Sequence, residues 1–253
     1  MNGFKKDLTE KILGLNPHVV IQSNNFKLTD TFTNELKDKI KNIKVAKAYT
    51  GEGIILNNSN AKGILIKGLD VENEESYKFL SENISAGDIS NLKKNKAFIG
   101  VELAYNLNLK VGDKINLMSS SFINTPLGGI PKQQFFEIGG IFNTGFYEFD
   151  QNFIFLNISE ALALFNKEKY EQNLEIYLND PMQADKFKIK IQNLNPNFFV
   201  YSWSDLNKSF FKALKVERNV MFIILTLIII VAAFNIISGL TILIKNKTKE
   251  IAI

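Results

Sequence analysis

The sequence predicts an α+β body followed by one membrane-spanning helix, on two observations. Strand-like and helix-like runs mingle up to Trp203 without a regular βαβ rhythm. Then Val220 to Ile244 runs without a charge, although the chain as a whole is 22% charged. All 30 Lys+Arg and 26 Asp+Glu of the 253 residues lie outside that run. The remainder therefore has the charge density of an ordinary globular domain.

Phe4 to Leu13 is amphipathic, with Phe4, Leu8, Ile12 and Leu15 at helical spacing and Gly14 as the stop. His18 to Gln22 is β-branched and strand-like, and Thr29 to Ile40 returns to helix through Phe32, Leu36 and Ile40. Val45–Tyr49, Gly53–Leu56 and Gly63–Ile66 read as strands separated by Gly and Asn turns. A short helix over Val101–Leu107 precedes Gly112-Asp113 and a strand over Lys114–Met118. Thr125 to Pro131 (TPLGGIP) encloses two glycines between two prolines, which excludes both helix and inner strand. It reads as an extended hairpin tip between strand-like runs around Met118 and Phe135. Strands come next at Gln134–Phe142 and Asn152–Asn157, then a helix at Ser159–Phe165 and a strand at Leu174–Leu178. Pro181–Leu194 is helical and Phe198–Tyr201 is the last strand.

Ser202 and Asp205 make a start like a capping box. From Trp203 to Ser238 there is neither Pro nor Gly, so a single helix from about Ser204 to Ile244 is expected. At about 1.5 Å per residue, the uncharged run reaches roughly 37 Å, more than the roughly 30 Å hydrocarbon layer. Within it Ala232, Asn235, Ser238 and Gly239 share one face, which suits close packing against another membrane helix. Lys208, Lys212, Lys215 and Arg218 precede the span, and Lys245, Lys247 and Lys249 come after it, so the positive-inside rule does not orient it.

Much chemistry is excluded. Without Cys there is no disulfide framework, thiolate metal site or cysteine nucleophile. With His18 alone, multi-histidine metal sites are excluded as well. A formal charge of +4 does not point to nucleic acid. Neither a phosphate-binding loop nor a G-x-S-x-G elbow occurs, and Gly51-Glu52-Gly53 lacks the third glycine of a dinucleotide fingerprint. Glu72, Glu74 and Glu75 read as a solvated face, Glu148 and Asp150 as carboxylates of a turn-like segment, and His18 as a packed residue. No metal, cofactor or catalytic constellation is expected.

Three runs together resemble the LolC/LolE family, the membrane subunits of the ABC transporter that releases lipoproteins from the bacterial inner membrane. They are MNGFKKDLTEKILGLNPHV at 1–19, TPLGGIPKQQF at 125–135, and the C-terminal run from Phe210 to Ile253. The resemblance implies a fragment of a four-helix membrane protein, with the first helix before Met1, the second at Val220–Ile244 and two more absent. It implies a two-lobed domain like that of MacB-type transporters. Residues 1–48 and 167–203 would form a porter lobe and 49–166 a mainly β sabre lobe, with a hook hairpin at 122–134. Residues 204–245 would be stalk and transmembrane helix, and 246–253 a cytoplasmic start. Residues 1 to about 218 would then lie in the periplasm.

By the same resemblance, Pro126, Leu127, Gly128, Gly129, Ile130 and Pro131 form a hook for a LolA-like periplasmic chaperone. Asn116, Gln133 and Gln134 stand at the neighbouring pad. Phe210, Phe211, Leu214 and Met221, apolar residues at the membrane-proximal base, are candidates for contact with lipoprotein acyl chains. The implied partners are a second membrane subunit (the same or a paralogous chain), a cytoplasmic ABC ATPase, the chaperone, an acylated lipoprotein and membrane lipid. Two rival readings are a MacB- or FtsX-type subunit that relays motion without needing the hook, and a tail-anchored binding or sensing ectodomain.

Overall fold

The computed structural model describes residues 13–23, 28–40, 43–57, 60–93, 95–126 and 128–251. The helix expected from Phe4 falls outside these residues except at its end, and so does Leu127. The chain forms two compact units, Met1–Trp203 and Ser204–Ile253.

In the first unit the order is β1 (Val19–Ser23), α1 (Asp30–Lys39), β2 (Ile43–Asn57), β3 (Asn60–Leu69), α2 (Glu74–Glu82), β4 (Ile84–Gly87) and β5 (Lys96–Gly100). Next come α3 (Val101–Leu107), β6 (Lys114–Thr125), β7 (Gly128–Phe142), α4 (Tyr147–Asn152), β8 (Phe153–Asn157) and α5 (Ile158–Leu164). The unit closes with β9 (Asn173–Leu178), α6 (Ala184–Leu194) and β10 (Phe198–Ser202). Three helix starts carry side-chain oxygen caps: Thr29 for α1, Asn73 for α2 and Asn157 for α5 each accept a backbone N–H of the first turn.

The ten described strands join one mixed sheet, which bears out the α+β expectation. Its character changes within β2. Residues 43–48 of β2 pair with β9, which continues to β1 and β10 as an open antiparallel sheet. Beyond Ala48, β2 pairs with β3 on one side and, from Gly53, with β6 on the other. From there the pairings run β3–β8, β8–β5, β5–β7 and β7–β6, and so return to β2. Six strands thus make a closed circuit, which removes the edges an open sheet would expose.

Side-chain alternation fills this barrel. Ala97 and Ile99 of β5, Ile154 and Leu156 of β8, and Ile115 and Leu117 of β6 point into one buried cluster. Leu103 and Leu107 of α3 and Leu164 and Phe165 at the end of α5 join the same cluster. The intervening Phe98 and Phe155 point outward into a second core with Phe142 and Phe149. There Phe155 packs edge-on to Phe79 at 5.1 Å and to Phe142 at 5.2 Å between ring centres.

The two strands expected at Val45–Tyr49 and Gly53–Leu56 are one strand of 15 residues. Its glycines mark close approach rather than a turn. A Cβ on Gly51 would come within 2.5 Å of the Phe165 ring, and one on Gly53 within 2.6 Å of Ile66. Helix α2 and strands β4 and β5 have no counterpart in the sequence reading.

The second unit differs from expectation at its start. A short helix, α7 (Trp203–Leu206), straddles the boundary of the units, and Asn207 has turn geometry. Helix α8 then runs unbroken over the 44 residues Lys208–Ile251. The expected continuity from Ser204 is therefore interrupted at Asn207, a poor helix former, and resumes through Arg218 and Asn219 into the apolar run.

Candidate functional site

The β6–β7 hairpin is the most distinctive surface feature of the first unit. Its base belongs to the barrel, where Lys114–Met118 pair with Gln133–Glu137. The register then shifts: Met118 opposes Gln133, but the next partners are Phe122 and Pro131. The residues Ser119, Ser120 and Ser121 absorb the mismatch as a bulge, a device that bends a strand and re-aims the residues beyond it.

The bulge is also where the hairpin is pinned. The last carbonyls of α5 have no partner within the helix. Ser119 Oγ donates to Leu164 O at 2.9 Å and Ser121 Oγ to Phe165 O at 2.6 Å. Lys132 Nζ donates to Ala163 O, placing a cation at the negative end of the helix. Beyond this clamp the arm is a two-stranded ribbon, Phe122–Thr125 paired with Gly128–Pro131.

Each face of the ribbon presents exposed apolar side chains. Ile123 and Ile130 form a directly opposed cross-strand pair, 49% and 52% exposed. On the other face Phe122, 58% exposed, lies beside Gly129 and opposite Pro131. Such residues ordinarily turn inward, and three of them together on one ribbon make an exposed apolar patch.

Of the six residues expected at a hook, Pro126 has turn geometry. Pro126 is exposed, and Leu127 lies outside the described residues. Gly128, Gly129, Ile130 and Pro131 belong to β7, in register with the opposite strand. Gly128 has φ +117°, which an L side chain rarely adopts. Phe122 and Ile123 were not singled out from the sequence; alternation about an opposed Ile130 is the signal that would have found them.

The three pad residues do not form one surface. Asn116 Nδ2 donates to Gln133 Oε1 at 3.0 Å, so these two sit together. Gln134, next along the strand, faces the other way and donates to Glu160 Oε2 at 2.8 Å.

In the second unit, Lys215–Lys245 is a 31-residue stretch of α8 long and apolar enough to cross a membrane. Met221 is 49% exposed on it, while the side chains of Phe210, Phe211 and Leu214 lie outside the described ones. Ala232, Asn235, Ser238 and Gly239 recur at i, i+3, i+6 and i+7 and are exposed along the helix. Thr226 and Thr241 donate their hydroxyls back to the carbonyls of Phe222 and Ile237, which satisfies them within the helix.

The remaining polar candidates have structural roles. His18 is buried, and its Nδ1 accepts from Leu178 N at 2.8 Å; burial lowers its pKa below the usual value. Its carbonyl accepts from Trp203 N, and Trp203 Nε1 donates to Pro181 O, tying β1 to the last residue of the unit. Asp150 is 1% exposed and accepts from Thr144 N and Oγ1, closing the turn before α4. Glu75 pairs with Lys44 at 2.6 Å on the surface. Among the described residues no group of His, Asp and Glu could hold a metal.

No family model matches the chain. Curated relatives do. The lipoprotein-releasing system transmembrane protein LolC of Neisseria meningitidis is 30% identical over all of this chain and 62% of its own length. Its namesake from Buchnera aphidicola (subspecies Schizaphis graminum) is 30% identical over all of this chain and 63% of its own. LolE of Haemophilus influenzae is 24% identical, again over the whole chain and 63% of the relative. The chain thus spans about three-fifths of the length of the relatives it matches. Among solved structures, the periplasmic region of MacB from Actinobacillus actinomycetemcomitans matches at 12% identity and TM-score 0.46, over 79% of this chain and 94% of that one. The extracellular domain of the noncanonic ABC-type transporter YknZ from Gram-positive bacteria matches at 12% identity and TM-score 0.47, over 74% and 100%.

Proposed function

Taking as premise a likeness to the LolC/LolE transmembrane proteins that runs the whole length of this chain, we propose that it is part of a non-catalytic membrane subunit of an ATP-driven lipoprotein-releasing transporter. A separate cytoplasmic ATPase supplies the energy, and a second membrane subunit packs against α8 along Ala232, Asn235, Ser238 and Gly239. The first unit and α8 to about Arg218 stand in the periplasm, and α8 then crosses the inner membrane. The open sheet with α1 and α6 acts as the porter lobe, and the six-stranded barrel with its arm as the sabre lobe. Acylated lipoprotein is lifted from the leaflet past the base of α8, with Phe210, Phe211, Leu214 and Met221 offered to its chains. An unbroken α8 of about 66 Å can carry motion along its own length.

The observation that carries the finer reading is the clamped arm. A lipid-modified protein must pass from one apolar shelter to another, because each CH₂ left in water costs about 0.8 kcal/mol. A receiving chaperone must therefore be held close by, and its lipid cavity is itself a site for an apolar plug. Ile123, Ile130 and Phe122, together with Leu127 between the two strands in sequence, suit such a plug. A ribbon pinned by three bonds at its root needs little further ordering on docking.

The test is capture of a LolA-like chaperone by the assembled transporter. Ile123→Asp with Ile130→Asp, and separately Leu127→Asp, are expected to abolish capture while leaving assembly with the ATPase intact. Undiminished capture by both variants would remove the hook and leave the reading of a subunit that only relays motion.

A further inference from the structure

We propose that Lys208, Lys212 and Lys215 form a basic stripe on α8 that binds the phosphates of anionic phospholipid headgroups at the mouth of the span. The three recur at i, i+4 and i+7, so they share one face of a helix with 3.6 residues per turn. All three are exposed. The single carboxylate between Lys208 and the uncharged run is Glu217. It stands two residues from Lys215 and so points to the opposite side of the helix.

Depth sets what this stripe meets. With Val220 as the first residue of the uncharged run, Lys215 lies about 7 Å outside it, Lys212 about 12 Å and Lys208 about 18 Å. The headgroup layer is about 5–7 Å thick on each side of the hydrocarbon. Lys215 is at its level, and Lys212 reaches it by laying its aliphatic stem along the helix. Lys208 lies outside and acts through a field that fades over roughly 8–10 Å.

Topology does not account for the stripe. Lys245, Lys247 and Lys249 flank the other end of the span. The positive-inside rule can explain cations at one end only. The three lysines before the span share one helix face, whereas Lys247, two residues from Lys245, falls on the opposite side of the helix. A one-sided row of lysines at headgroup level is complementary to a phosphate-rich leaflet.

The inference rests on the membrane-spanning reading of α8 and not on the role of the hairpin. The test is native mass spectrometry of the full chain released from mixed micelles with equal phosphatidylglycerol and phosphatidylcholine. The wild type is expected to retain phosphatidylglycerol in preference. Lys215→Gln and Lys212→Gln should each reduce that preference about fivefold, Lys208→Gln less, and the three together about twentyfold or more. Lys245→Gln with Lys247→Gln, which fall on opposite sides of the helix, should reduce it less than Lys212→Gln with Lys215→Gln; an equal or larger reduction would count against the stripe. Equal retention of the two lipids by the wild type, or a preference that survives the triple change, would overturn the stripe. Alkaline extraction of membranes separates the premise: release of the wild-type chain would refute the span itself.

Discussion

Replacing Lys67 by methionine is expected to destabilise the first unit by about 3–5 kcal/mol, the usual result of leaving one buried charge without its partner. Lys67 on β3 and Glu175 on β9 lie on either side of β2, where the open sheet gives way to the barrel. Thr50 opposes Lys67 and Ala46 opposes Glu175, so the lysine passes over a face of β2 kept small by Ala46 and Ala48. Their charged atoms are 2.7 Å apart, and the side chains are only 7% and 5% exposed. Tyr177 OH donates to the other carboxylate oxygen at 2.9 Å, and burial holds that phenol well above its ordinary pKa, so it stays a donor. In Lys67→Met the carboxylate keeps this one bond and loses its countercharge. Adding Glu175→Leu removes the stranded charge and should recover most of the loss. Trp203 is the one tryptophan and is 8% exposed at the end of the unit. Its fluorescence during urea unfolding reads both variants. A loss below about 1 kcal/mol, as for a surface pair, or a double variant no better than the single, would refute the reasoning.

Three other perturbations have defined outcomes. His18 is the only histidine, and its pKa is lowered by burial. The unfolded chain therefore takes up the proton first, and stability should fall as the pH drops through about 6.5 and keep falling until the lowered folded value is passed. His18→Asn should flatten that dependence in urea titrations between pH 5 and 8. Gly51→Ala should cost about 1–3 kcal/mol, because the new methyl meets the Phe165 ring in the barrel core; an unchanged urea midpoint would contradict the close approach. Ser119→Ala with Ser121→Ala should cost about 1 kcal/mol per bond and speed amide exchange from Phe122 to Ile130, while the barrel stays protected.

The span was legible because lipid imposes a length and a polarity on contiguous residues, and Val220–Ile244 meets both. The period-3.6 pattern located α1 and α5, and short runs of β-branched and aromatic residues located β8 and β9, which are buried on both faces. The glycines of β2 misled, since turn and close approach draw on the same residue, and only the Phe165 ring and Ile66 distinguish them. Helix α2 was hidden by the acidic run Glu72, Glu74 and Glu75, which reads as surface although Glu74 and Glu75 open a helix capped by Asn73. In the hairpin, the Pro/Gly run located the turn but concealed the ribbon. That Gly128–Pro131 pair with Phe122–Thr125, and that Gln134 turns away from Asn116, are matters of register across a bulge. No local pattern carries register. The pause at Asn207 was likewise invisible, because neither Pro nor Gly marks it.

What the arm touches decides whether it is a docking element. A photoreactive side chain placed singly at Phe122, Ile123 or Ile130, in cells that carry the assembled transporter, reads this directly. The expected result is a covalent adduct of the LolA-like chaperone from these positions and none from Tyr105, which is 83% exposed on α3. If the arm positions yield no chaperone adduct, or Tyr105 labels it equally, the arm is not the docking element.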